Sequence, residues 1–99
     1  MYDYMYTDPV RYVWDEEKRR RTLAARGLDF ADASRVLAGA TFTIEDDRLD
    51  YGERRWVSIG LLGAKVVVIV HTETESEIRI ISMREATRNE QGLYFRNVP

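Results

Sequence analysis

The chain is 99 residues long, enough for one domain with one core, and its net charge is −2. That balance argues against a nucleic-acid binder of the strongly basic kind, whose affinity comes from neutralising many phosphates. With no cysteine there is no disulfide framework or thiolate metal site, and no apolar run is long enough to span a bilayer or to serve as a signal core. A cytoplasmic protein is the expectation.

Residues 1–9 carry three tyrosines among Asp3, Asp8 and Pro9 and read as an N-terminal extension, with 10–99 as a single domain. The extension is either a loose terminus or an aromatic strip for a partner. Val10 to Trp14 reads as a short strand. Asp15 offers an N-cap to a helix over DEEKRRRTLAAR, supported by Glu16–Arg20 and Glu17–Arg21 at i,i+4 spacing and ended by Gly27. Its KRRR run is read first as a solvated face and second as an RNA contact. Asp29 caps a second helix, Phe30 to Ala38, that puts Phe30, Ala33 and Val36 on one face and ends at Gly39.

Four strands follow. Thr41 to Glu45 alternates, which predicts Phe42 and Ile44 on a buried face. The acidic stretch Glu45 to Glu53 lacks the glycine and terminal glutamate spacing of a calcium loop, and reads as a solvated turn whose aspartates bond local amides. Arg54 to Leu62 and Lys65 to Thr72 form a hairpin about Gly63. Val66 to Val70 is wholly β-branched and predicts a central strand covered on both faces. Ile78 to Met83 is the last strand, with Ile78, Ile80 and Ser82 expected on one face and Arg79, Ile81 and Met83 on the other. Thr87 and Glu90 have capping-box spacing and start a final helix that Gly92 weakens. Short connections imply an antiparallel meander of four to five strands. Two N-terminal helices packed on one face make an α+β two-layer domain with a C-terminal helix.

The chemistry gathers at the last two strands. If the Glu73–Glu77 loop is centred on Glu75, His71 faces Arg79 across the hairpin; a one-residue change of register separates them. His71 beside Arg79 and Arg84 would be an acid or base next to guanidinium groups that stabilise a charged phosphorane. The competing reading is a half-exposed polar histidine at a strand end. No serine stands in a nucleophile elbow, no glycine loop cradles phosphate, and a histidine-based metal site lacks its second histidine.

Four segments together resemble the BrnT family: Trp14–Ala33 (WDEEKRRRTLAARGLDFADA), Glu45–Gly60 (EDDRLDYGERRWVSIG), Val66–Glu73 (VVVIVHTE) and Ile78–Glu90 (IRIISMREATRNE). The resemblance spans about Tyr12 to Tyr94. It implies a RelE-like fold and a metal-independent endoribonuclease, without cofactor, that arrests translation and growth as the toxin of a type II toxin–antitoxin system. It also implies a BrnA-like antitoxin with a ribbon-helix-helix domain, a heterotetramer of the two proteins, and promoter DNA bound only through that complex. Carried onto this chain, the family's positions make Arg79 and Arg84 the ligands of the scissile phosphate and His71 the general acid or base. Lys18 and Arg88 become RNA contacts. The alternative is a catalytically degenerate toxin-like module that binds a protein partner and turns over no RNA.

Overall fold

The computed structural model describes residues 10–48, 50 and 52–99; the proposed extension, 1–9, lies outside them. Five strands form one sheet in the order β1-β5-β4-β3-β2, where β1 is Arg11–Trp14, β2 Phe42–Asp46, β3 Arg55–Leu62, β4 Lys65–Glu73 and β5 Glu77–Glu85. Strands β2 to β5 form the expected antiparallel meander, whose short connections leave each strand beside its predecessor. The sheet is nevertheless mixed, because β1 runs parallel to β5. The intervening helices and strands form the long connection that a parallel pair requires.

Helix α1, Glu16–Arg26, starts where Asp15 accepts from the Lys18 amide and ends at Gly27, whose φ of 70° is the left-handed conformation that glycine tolerates. The second helical segment begins as a 3-10 turn, Phe30–Asp32, under the Asp29 cap and continues as α2, Ala33–Leu37. Its apolar face is the centre of the core: Leu28, Phe30, Ala33 and Val36 pack on Val67, Ile69, Ile80 and Met83. Helix α1 buries no residue of its own. It is tied down by Arg19 to Asp29 at 2.8 Å and by Arg26 Nη1 donating to the Met83 carbonyl at 2.9 Å.

The other face of the sheet is covered only at one end, by helix α3, Arg88–Asn97. Tyr94 packs there on Ile59, Val66 and Val68. The Thr87–Glu90 capping box forms as expected, and α3 runs through Gly92 without a break. Val66 to Ile69 are buried and alternate between the two clusters, which is why the central strand is apolar at every position. Beyond the reach of α3, this face is open. Ile44, expected to be buried, is 51% exposed, because the edge strand β2 extends past the helix.

Candidate functional site

Residues five apart on a regular strand point to opposite faces. Arg79 and Arg84 nevertheless share one, because β5 carries a bulge. His71 pairs with Ile80 and Val70 with Ser82, which leaves Ile81 as an extra residue. Thr72 opposes Arg79 and Val68 opposes Arg84. Val68, Val70 and Thr72 alternate onto the open face, so Arg79, Ser82 and Arg84 stand there as well. This corrects the alternation expected for β5: Ile78, Ile80 and Met83 line the core face, and Ser82 turns away from it. It also corrects the expected pairing of His71 with Arg79. The true register is one residue removed and puts the imidazole on the opposite side of the sheet from both arginines.

The open face is a trough floored by Ile44, Val57, Val68 and Val70 and walled by Asp46, Arg48, Ser82, Arg84 and Glu90, with a volume of about 540 Å³. Beside it, a cleft of about 440 Å³ brings Lys18, Arg55 and Arg79 together against Val13 and Ile81. Lys18 reaches it from the first turn of α1, which Asp15 anchors. Arg55 comes from the start of β3. It is part of the site that sequence reasoning missed, since an arginine beginning a strand carries no signal of what the fold brings to it. Arg88, at the start of α3, is exposed and joins neither cavity.

Each arginine of these two cavities is matched by a carboxylate. Arg84 donates through Nη1 and Nη2 to the two oxygens of Glu90, both at 2.8 Å, a parallel fork. Glu90 also accepts from the Thr87 amide at 2.9 Å. With Arg84 contributing most, these bonds hold the Glu90 carboxyl down at about 2, and Glu90 in turn raises the Arg84 guanidinium above its ordinary value. Arg79 Nη2 donates to the Glu53 oxygens at 2.8 and 3.1 Å, and Arg55 lies 3.7 Å from the same carboxylate.

His71 is 1% exposed. Its Nε2 lies 2.8 Å from Ser58 Oγ, which lies 2.7 Å from Thr43 Oγ1, itself 3.1 Å from Thr41 Oγ1. A line of hydroxyls thus crosses β3 and β2 on the core face. Nδ1 is 3.2 Å from Glu73 Oε2, close enough for charge attraction but out of line for a hydrogen bond. Burial pushes the imidazole below its ordinary value, and Glu73 offsets this only in part.

In the acidic loop, Asp50 accepts from the Gly52 amide at 2.9 Å, the local bonding expected of a turn. Asp46 accepts from the Arg48 amide at 3.4 Å and, being buried, also holds the Arg48 side chain in a two-point contact at 2.8 and 3.0 Å. Among the described residues, no three His, Cys, Asp or Glu side chains converge as a metal site.

The chain is thus a small α+β domain with arginines aligned on a half-covered sheet face. The family model described as the ribonuclease toxin, BrnT, of type II toxin–antitoxin systems matches residues 14–90, and the chain belongs to that family. Its fold is also similar to the crystal structure of the Brucella abortus ribonuclease toxin, BrnT, with 30% sequence identity and a TM-score of 0.58, over 80% of this chain and 99% of that one. A comparison with curated proteins gave no match. Membership makes the chain a ribonuclease toxin of a type II toxin–antitoxin system, with RNA as substrate and an antitoxin as partner. No helix among the described residues is long and apolar enough to cross a membrane.

Proposed function

We propose that RNA is held and cleaved on the bulged face of the sheet, with the scissile phosphate at Arg79 and with Arg55 and Lys18 beside it. Arg84 and Arg88 flank the strand farther along. The observation that carries this reading is the bulge at Ile81, which aligns Arg79 and Arg84 on one open surface. Cleavage there proceeds by the RNA's own 2′-hydroxyl: its oxygen bonds to phosphorus as the bond to the 5′ oxygen breaks, with water taking the hydroxyl proton and the departing 5′ oxygen drawing a proton from water. Guanidinium groups stabilise the charge that builds on the phosphorane oxygens, so the reaction needs no metal ion. His71 does not touch the phosphate in this arrangement. Its bond to Ser58 holds the register of β3 on β4 from the core side, so it is a positioning residue rather than the acid or base that its sequence context suggests.

The same reading makes the protein a cytoplasmic toxin whose RNA cleavage halts translation. A BrnA-like ribbon-helix-helix antitoxin neutralises it in a heterotetramer that binds promoter DNA through the antitoxin. Induction of the chain alone is expected to arrest growth with loss of total RNA. Arg79→Ala is expected to lower RNA cleavage by about tenfold or more, the cost of a hydrogen bond to a charged group, with the melting temperature unchanged. A wild-type chain that is folded yet leaves growth and RNA intact would instead identify a module that only binds its partner. The carboxylates already seated on both arginines are the feature that favours that second reading.

A further inference from the structure

Carboxylate and phosphate present the same pair of oxygens to an arginine fork. Glu53 and Glu90 therefore stand where phosphate oxygens would, but they are held very differently. Glu90 is fixed from three sides: by Arg84, by the Thr87 amide, and by its place in the first turn of α3, where its own amide donates to Thr87 Oγ1 at 3.2 Å. Removing it would undo the helix cap. Glu53 lies in the connection between β2 and β3, just after Gly52, whose φ is 73°. Its partners among the described residues are Arg79 and Arg55 alone. The Arg79–Glu53 pair is half-exposed, and pairs of that kind contribute little net energy, so an incoming anion exchanges with the carboxylate at small cost.

We infer that Glu53 is an internal stand-in for the RNA phosphate, seated on Arg79 and Arg55 in the free protein and displaced when RNA binds. The inference rests on the RNA-binding reading of this face and assigns its two arginines different work. Arg79 exchanges its carboxylate for phosphate. Arg84 keeps Glu90 and anchors α3 to β5. Glu53 thereby sets a threshold: a ligand must outcompete a tethered carboxylate, which favours an RNA phosphate delivered along with neighbouring contacts over a small free anion.

The test is binding of a short single-stranded RNA with 2′-O-methyl sugars, which the enzyme cannot cleave, to the full chain, four single variants and one double variant. Glu53→Gln keeps the shape and removes the charge, and is expected to bind about two- to fivefold more tightly, the scale of a half-exposed ion pair. Asp32→Asn removes an equal charge beside Arg35 at the start of α2, on the far side of the sheet, and controls for net charge. Arg79→Ala weakens binding, and adding Glu53→Gln to it gains less than Glu53→Gln gains in the wild type, because only the Arg55 contact remains to be freed. Glu90→Gln lowers the melting temperature without tightening binding. If Arg79→Ala weakens binding while Glu53→Gln matches Asp32→Asn, the RNA site stands and the displacement is overturned. If neither Arg79→Ala nor Glu53→Gln alters binding, the placement of RNA on this face falls, and the inference with it.

Discussion

His71 is the single histidine of the chain, and it sits in the core with one nitrogen on Ser58. Burial lowers its proton affinity in the folded state below the ordinary value of 6.5, whereas the unfolded chain keeps that value. The unfolded state therefore takes up a proton first as the medium is acidified. Stability is complete above the ordinary value and declines as pH falls from there toward the folded value. No other side chain ordinarily titrates in that interval, so the decline belongs to this imidazole. Urea unfolding midpoints between about pH 7 and pH 5 are expected to fall for the wild type and to stay flat for His71→Gln. A wild type as flat as the variant would mean that the ring binds its proton equally well folded and unfolded, the attraction of Glu73 cancelling the effect of burial.

At the scale of elements, the contact between α2 and the sheet depends on Gly60. A Cβ built there would lie 2.8 Å from Val36 Cγ1 and 3.1 Å from Thr41 Cγ2. Neither neighbour is the free end of a long side chain, so Gly60→Ala pushes α2 off β3. The expected loss is about 1–3 kcal/mol in chemical denaturation, the range for overpacking a filled core.

What the sequence makes legible follows from how far each signal reaches. The caps at Asp15, Gly27, Asp29 and Thr87 are local, resting on side chains within three or four residues of the groups they satisfy, and all four form. The order of elements and the fully apolar β4 are legible for the same reason. The bulge at Ile81 is not, because nothing in IRIISM marks which residue goes unpaired; the choice is made by Met83 and Ile80 both seeking the core. From that one residue follow the faces of Arg79, Ser82 and Arg84 and the separation of His71 from them. Glu53 and Arg55 stay hidden because their partner, Arg79, is distant in sequence. So does the parallel pairing of β1, since a four-residue strand carries no record of its neighbour.

For the whole molecule, an overall charge of −2 coexists with an arginine-rich face, because acids are distributed through the helices and loops and several of them, Asp46, Glu53 and Glu90 included, sit on that face. With RNA placed as proposed, affinity comes from a few defined contacts rather than from a general basic field. Each phosphate neutralised on a single strand contributes about 0.7 to the slope of log affinity against log salt. Three cations, Lys18, Arg55 and Arg79, line the cleft, so binding titrations in increasing salt are expected to give a slope of about −2. A slope of about −4 would show that the three arginines that follow Lys18 in the KRRR run also lie against the strand.

The parallel seam between β1 and β5 places Val13 directly beside Arg79, partners 66 residues apart in the chain. The wall of the arginine cleft is therefore made of the first and the last strand together, and neither builds it alone. On a translating ribosome β1 waits, unpaired, until β5 has followed it out of the exit tunnel. The arginine cleft is thus complete only once that contact between strands far apart in sequence has closed, so it forms late in folding rather than with the local helices and hairpins.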